Sequence, residues 1–285
     1  MEWNRDTAHI VSMERCGPYF ILGEALHMAL VRNAEGQAVE AGKKAGELLR
    51  ALGASGRPVA AKLDGKAIDL ESVVVCEGVL EPIFADSEEG LDIIRHSTAH
   101  LMAQAVENLF PGTSFGVGPS IKDGFYYDMG LPSPISEESF PAIEEEMKRI
   151  VKERLPIDRV EMSRADAIEL FKGRNDPYKV ELISDLEEPT VSLYRQWKYV
   201  DLCRGPHVPD TSYLPFFKLL SVAGAYWRGS EKNPMLTRVY GTAFAGKKDL
   251  EAHLKRLEEA RSRDHRKLGV ELDLFSLQSE GPGFP

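Results

Sequence analysis

Two histidines, His96 and His100, stand four residues apart in the segment His-Ser-Thr-Ala-His. On an α-helix this spacing places both imidazoles on one face, one turn apart. Much later, the segment Asp201-Leu-Cys-Arg-Gly-Pro-His207 places a thiol, Cys203, and a third imidazole, His207, four residues apart across a Gly-Pro turn. These side chains are common zinc ligands, and imidazoles exchange protons near neutral pH. The residue types therefore allow either a metal site or a site that moves protons.

Each half of this set is weak evidence by itself. Histidines at i and i+4 are more often two surface residues than a site, and a Cys-x-x-x-His segment arises readily by chance. The set has chemical meaning only if the fold brings the two halves together. The elements that carry them therefore have to be predicted as well.

The first part of the chain alternates between strand and helix patterns. Apolar segments flank the turn residues Glu35-Gly36 and Asp64-Gly65, which predicts two β-hairpins. A leucine-rich segment between them has helical spacing and ends at Gly53. Hairpin, helix and hairpin in so short a segment indicate a small ubiquitin-like β-grasp domain over 28–86.

The region 87–245 mixes longer helices with strand patterns and is expected to be a larger α+β domain, which makes the fold class of the whole chain α+β. A helix from about Leu91 to Leu109 would carry both histidines, and Ser163 is positioned to cap a short helix that ends at Gly173. A further helix is expected after Ser136. Strands are predicted at 115–118 and 125–128, and further apolar runs occupy 178–183, 191–200, 216–223 and 235–240. A highly charged helix is expected over 247–268.

Composition limits the possible partners. The formal net charge of −10 argues mildly against nucleic acid, because phosphate-binding domains are usually basic. The three scattered cysteines favour free thiols in a reducing cytoplasm over a disulfide framework. No apolar stretch approaches the roughly 20 residues of a membrane span, so no membrane partner is expected. A local basic cluster near the C-terminus leaves tRNA possible: Arg261, Arg263, His265, Arg266 and Lys267.

Several motifs occur in a fixed order along the chain. They are His96-Ser-Thr-Ala-His100, Gly124-Phe-Tyr-Tyr-Asp128, Tyr178-Lys-Val180, Asp201-Leu-Cys-Arg-Gly-Pro-His207, Ala225-Tyr-Trp-Arg-Gly229 and Tyr240-Gly-Thr-Ala-Phe244. This series closely resembles the second N-terminal domain of bacterial threonyl-tRNA synthetases. The β-grasp segment before it resembles the TGS domain that opens those enzymes.

The resemblance also implies an organisation for the rest of the chain. It makes 246–269 a linker helix and 270–285 the truncated start of the class II catalytic domain, while 1–27 match nothing and are an extension or a misplaced start. ATP, magnesium and the catalytic zinc would then belong to the absent catalytic domain. The expected partner is tRNA(Thr), with a homodimer for the whole enzyme and a monomer for this fragment.

The activity implied by the resemblance is hydrolysis of mischarged Ser-tRNA(Thr). The implied pocket residues are His96, His100, Cys203, His207, Lys179, Asp201 and Tyr127. Lys179 is the candidate for stabilising negative charge, and a histidine, or Asp201 through a histidine, would orient the water; the general base stays unassigned. No cofactor is required for this reaction, although zinc is possible. Four protein ligands would indicate a structural zinc, and three ligands plus water a catalytic one.

Other interpretations remain open at this stage. Tyr127 could be strand packing, Lys179 a surface charge and Asp201 a turn residue. The chain could also be a non-catalytic tRNA-binding module or a freestanding trans-editing protein. The intact His/His/Cys/His set argues against the first of these two alternatives, and the class II segment against the second.

Overall fold

The computed structural model describes residues 29–263 and confirms the α+β fold class. Predictions for 1–28 and 264–285 lie outside the described residues. These include the N-terminal extension, the last part of the basic cluster and the class II segment. The chain forms two compact units that divide between Ala245 and Gly246, and the second contains helix α6, Lys247–Ser262. Within 29–263, no helix combines the length and the apolar character that a bilayer crossing needs.

The first part of the chain forms a five-stranded sheet with one short helix. Its strands run in the order β2-β1-β7-β4-β5, with β1 and β7 parallel and the other pairs antiparallel, while β3 and β6 pair separately. The elements are β1 Leu30–Arg32, β2 Ala38–Glu40, β3 Lys43–Lys44, α1 Ala45–Ala51, β4 Pro58–Leu63, β5 Lys66–Ile68, β6 Val73–Val74 and β7 Gly78–Phe84. Both predicted hairpins and the leucine helix are therefore confirmed. Asp64 and Gly65 adopt φ values of 49° and 79°, as a two-residue hairpin turn requires.

The second part of the chain contains two antiparallel sheets and four helices. Strands β14-β15-β10-β8 form one sheet, with β9 beside β10, and β11-β12-β13 form the other. The elements are α2 Glu88–Leu109, β8 Ser114–Phe115, β9 Ser120–Ile121, β10 Gly124–Gly130, α3 Phe140–Glu153, β11 Ile157–Ser163, α4 Arg164–Gly173, α5 Pro177–Ser184, β12 Thr190–Gln196, β13 Tyr199–Leu202, β14 Phe217–Tyr226 and β15 Met235–Ala243.

Helix α2 is the centre of this architecture. The Ser87 hydroxyl caps it by accepting from the Gly90 amide at 3.0 Å, and acidic residues in its first turn complement the helix dipole. The middle of the helix is buried on most sides, from Ser97 to Val106. Its apolar residues join a core that also takes in Val59, Ala60 and Ile83 of the first sheet. The first sheet and the region after it therefore share packing.

Two segments differ in detail from their sequence patterns. The apolar run 178–183 is a helix, α5, because Asp176 caps its N-terminus and Pro177 provides a favourable first turn. The run 191–200 is not one strand but the hairpin β12–β13. It turns at Trp197, whose φ of 57° interrupts the extended backbone. This hairpin brings Asp201 and Cys203 towards α2.

Candidate functional site

Helix α2 presents its histidines to the interior of the protein rather than to solvent. His100 is 4% exposed, while His96, one turn earlier, is half-buried. Ser97 and Thr98 between them are completely buried. The i, i+4 pair is thus placed on one face as predicted, and that face is turned inward.

Strand β13 and the loop after it bring the second half of the set to α2. The ligand atoms of His96, His100, Cys203 and His207 all lie within 4.8 Å of one another. The ring centroids of His96 and His207 are 4.6 Å apart, and those of His100 and His207 are 4.4 Å apart. The loop turns through a cis peptide bond between Gly205 and Pro206. Residues far apart in the sequence therefore form one compact cluster.

Burial dominates the electrostatics of this cluster. It lowers the pKa of His96 and places the pKa values of His100 and His207 well below their ordinary range, because a charged imidazole loses its hydration there. Burial also raises the pKa of the Cys203 thiol to about 12. At neutral pH the cluster consists of three neutral imidazoles and a protonated thiol.

The hydrogen bonds within the cluster can all run in one direction. The Val208 amide donates to Ser97 Oγ at 3.2 Å, and the Ser97 hydroxyl proton stays available for His207 Nδ1, which lies 3.0 Å from the same oxygen. With Nδ1 as the acceptor, His207 carries its proton on Nε2, which then donates to Cys203 Sγ at 3.2 Å. The Cys203 thiol in turn donates to His96 Nε2 at 2.9 Å. The series ends on His96 Nε2 as an acceptor.

A buried ionic network supports the cluster from behind. Lys179 Nζ forms an ion pair with Asp201 Oδ1, and it also donates to the Tyr127 hydroxyl at 3.0 Å. Asp201 Oδ2 accepts hydrogen bonds from Tyr127 and, at 3.0 Å, from Tyr199. The same oxygen lies 3.5 Å from His100 Nδ1, so the carboxylate connects the network to the imidazoles. Asp201 and Lys179 are 1% and 3% exposed, and every contact they make is therefore poorly screened by water.

All seven residues expected from the sequence lie in this one region. The plain alternatives for two of them are wrong, because Lys179 is a buried helical residue and Asp201 is a buried strand residue. Tyr127 does pack on its strand, as its alternative stated, and it also makes polar contacts. Sequence reasoning missed Ser97 and Tyr199. A signal existed for Tyr199, because residues two apart on a strand face the same side, and it precedes Asp201 by two positions on β13.

The donor set fits zinc in its chemistry, since zinc binds thiolate and imidazole in tetrahedral sites. His96, His100, Cys203 and His207 would hold the ion. Bound by all four, zinc would be structural, because no position would stay open for water. The thiol would have to lose its proton on binding, and burial opposes that loss. The hydrogen bonds described above already engage the Nε2 atoms of His96 and His207 and the Sγ atom of Cys203 without an ion.

Comparison with known proteins shows which proteins this chain resembles. Residues 191–240, which include Asp201, Cys203 and His207, match the family described as "Threonyl and Alanyl tRNA synthetase second additional domain". The chain is 53% identical to the threonine–tRNA ligase of Nitratidesulfovibrio vulgaris over 258 residues. This aligned region is 87% of the present chain and 40% of that protein. The threonine–tRNA ligase of Rubrobacter xylanophilus is 51% identical over 264 residues, which are 90% of this chain and 41% of that protein. The threonine–tRNA ligase of Citrifermentans bemidjiense is 56% identical over 222 residues, which are 78% of this chain and 35% of that protein.

The chain thus spans about two fifths of the length of these relatives. Identity of this level extends over most of the present sequence, including the strands and loop that carry the cluster. On this evidence the chain is homologous, over most of its length, to a part of the threonine–tRNA ligases.

Proposed function

We propose that the cluster hydrolyses the ester of mischarged Ser-tRNA(Thr). The observation that carries this proposal is the convergence of three neutral imidazoles and a thiol, supported by the buried pair of Lys179 and Asp201. Groups that only bind RNA have no use for a buried, uncharged set of proton donors and acceptors. Perturbed and coupled titratable groups of this kind concentrate at sites of proton chemistry.

The need for such a site follows from the likeness of two amino acids. Serine differs from threonine by one methyl group, and a binding pocket gains only about 1–3 kcal/mol from a group of that size. Serine also retains the hydroxyl, so a pocket that recognises the hydroxyl cannot reject it. A second pocket that admits serine and excludes the larger threonine removes the error after it has been made.

His96 is our candidate for the general base. It is the most exposed of the three imidazoles, it is neutral, and its Nε2 is the acceptor at the end of the hydrogen-bond series. Its ring also hydrogen-bonds the Gly118 backbone, which fixes its orientation. A base that is neutral, reachable and held by a second group meets the geometric requirements for proton abstraction.

In the proposed step, a water molecule takes the place of the Cys203 thiol at His96 Nε2. Its oxygen attacks the carbonyl carbon of the ester while its proton passes to the imidazole. The bond from that carbon to the ribose oxygen of the tRNA 3′ end then breaks, and the leaving oxygen takes the proton back from the imidazolium. The products are serine and uncharged tRNA.

In this proposal Lys179 and Asp201 do not contact the reacting ester but act on it through His100. The Lys179 ammonium is engaged by Asp201 and Tyr127, and Asp201 lies between it and His100. The pair would therefore hold His100 in its ring orientation and contribute a fixed local field. This differs from direct stabilisation of the developing oxyanion by Lys179, the role suggested by the sequence.

The remaining assignments extend the same proposal. The sheet and helix of the first part would be a TGS-type β-grasp domain, and tRNA(Thr) would be the partner of the chain. Joining threonine to tRNA, the activity for which the relatives are named, would belong to the whole protein. Of the basic cluster near the C-terminus, only Arg261 to Arg263 fall within the described residues.

The test is a deacylation assay on Ser-tRNA(Thr) and Thr-tRNA(Thr), each labelled in the amino acid. We expect rapid release of serine and little release of threonine. A His96→Gln variant, purified in parallel, measures any contaminating hydrolase. Equal rates on both esters, or release no faster than with the variant, would refute the proposal. Binding of tRNA without hydrolysis would favour the non-catalytic module instead.

A further inference from the structure

One carboxylate from the first sheet reaches the loop that carries Cys203 and His207. Asp69 follows strand β5, and its Oδ1 accepts a hydrogen bond from the backbone amide of His207 at 2.8 Å. Its Oδ2 accepts from the Tyr194 hydroxyl at 2.7 Å. Asp69 thus bridges the loop and strand β12, although it precedes His207 by 138 residues.

These two hydrogen bonds act on the part of the loop that sets the position of the His207 ring. The Tyr194 ring packs against that imidazole, with centroids 4.3 Å apart. Gly205 has a φ of +70°, and a Cβ there would overlap the Tyr194 hydroxyl oxygen. The loop is therefore fitted closely onto Tyr194, and Asp69 holds both the tyrosine and the loop backbone.

We propose that Asp69 is a positioning residue for the hydrolytic cluster, so that the first sheet forms part of the site rather than a separate appendage. Its role is to fix the His207 backbone, and through it the hydrogen bonds that run from Ser97 through Cys203 to His96. The functional part of this proposal rests on the proposed hydrolysis. The structural part, the control of the His207 backbone by Asp69, can be measured without it.

The chain offers a matched control at another contact between the same two regions. Arg57, just before strand β4, donates to Ser212 Oγ at 2.8 Å, and its guanidinium carbon lies 3.5 Å from the centre of the Tyr213 ring. This contact joins the first sheet to the later region but does not involve the cluster or its loop. If Asp69 merely holds the two regions together, loss of Arg57 should have a similar effect.

The experiment compares Asp69→Ala, Asp69→Asn and Arg57→Ala. Asp69→Ala should lower kcat for Ser-tRNA(Thr) by about 10- to 100-fold with KM nearly unchanged, because a small displacement of reacting groups has an effect of that size. Asp69→Asn should stay close to the wild-type rate, since its amide oxygen can accept from His207 and its amide nitrogen can donate to Tyr194. Arg57→Ala should leave kcat unchanged.

Amide hydrogen exchange at His207 provides the second measurement. It should accelerate in Asp69→Ala and stay at the wild-type rate in Asp69→Asn and Arg57→Ala. Should Asp69→Ala fail to fold, Asp69→Ser replaces it; serine is too short to reach both donors, so the same changes are expected. Protection of His207 that survives loss of the carboxylate, or equal losses of kcat in the Asp69 and Arg57 variants, would overturn the proposal. If exchange at His207 is faster in Asp69→Ala but the wild-type protein hydrolyses neither ester, the proposed function alone is refuted.

Discussion

The pair of Lys179 and Asp201 permits a prediction with a defined magnitude. Their side chains are 3% and 2% exposed, so each charge depends on the other and on nearby hydroxyls rather than on water. Lys179→Met removes one partner and leaves the carboxylate buried without its counter-charge. Breaking a buried pair in this way typically costs about 3–5 kcal/mol. The ratio of folded to unfolded protein should fall roughly a hundredfold to several thousandfold.

The assay is urea unfolding followed by circular dichroism. The matched control is Lys172→Met on the neighbouring helix α4, where Lys172 pairs with Glu169 but both side chains are more than half exposed. An exposed pair contributes about 0–1 kcal/mol, so this control should be nearly neutral. If Lys179→Met lowers the free energy of unfolding no more than Lys172→Met does, the argument from burial is wrong.

A double variant separates stability from activity. Lys179→Met with Asp201→Asn contains no unpaired buried charge, and asparagine still offers an acceptor to Tyr127. The double variant should lose less free energy of unfolding than the two single variants lose in sum, by about 1–3 kcal/mol. Deacylation should nevertheless stay low, because the carboxylate beside His100 is gone. A double variant that recovers both stability and deacylation would show that the pair only supports the fold.

The remaining predictions concern the cluster, its metal content and one buried acid. Replacing His100 or Cys203 with alanine should lower the deacylation rate by about 10²–10⁴-fold, with circular dichroism verifying the fold. Binding of uncharged tRNA should change by less than about threefold, roughly 0.7 kcal/mol; parallel losses would indicate a docking surface. Purified protein should contain substoichiometric zinc by elemental analysis, with deacylation that survives chelation; tightly held zinc near one per chain, and activity lost with it, would make the four side chains ligands. Burial raises the pKa of Asp176 from 3.8 to about 6, so the stability that Asp176 contributes is fully present below pH 3.8 and is lost as the pH rises through about 6. The urea midpoint of the wild-type protein should therefore fall across this pH range, and this pH dependence should be weaker in Asp176→Asn. An equal pH dependence in the two proteins would contradict the assignment.

The sequence by itself determined the local elements and the face on which the histidines lie. Turn residues at Asp64-Gly65 located a hairpin, and Ser163 located the start of α4, because these signals act within a few residues of the chain. The spacing of His96 and His100 placed both rings on one face for the same reason. The order of the motifs added the resemblance to threonyl-tRNA synthetases and the seven candidate site residues.

Only the tertiary structure decided what those residues can do. Whether Lys179 is a surface charge or a buried partner depends on helix α5 packing against strands far away in sequence, and no local pattern records that packing. The neutral state of His100 and His207 likewise follows from desolvation, which the whole surrounding core determines. Asp69 gave no signal at all, because its hydrogen bonds reach Tyr194 and His207, 125 and 138 residues later in the chain. These contacts exist only once two sheets and helix α2 have packed together.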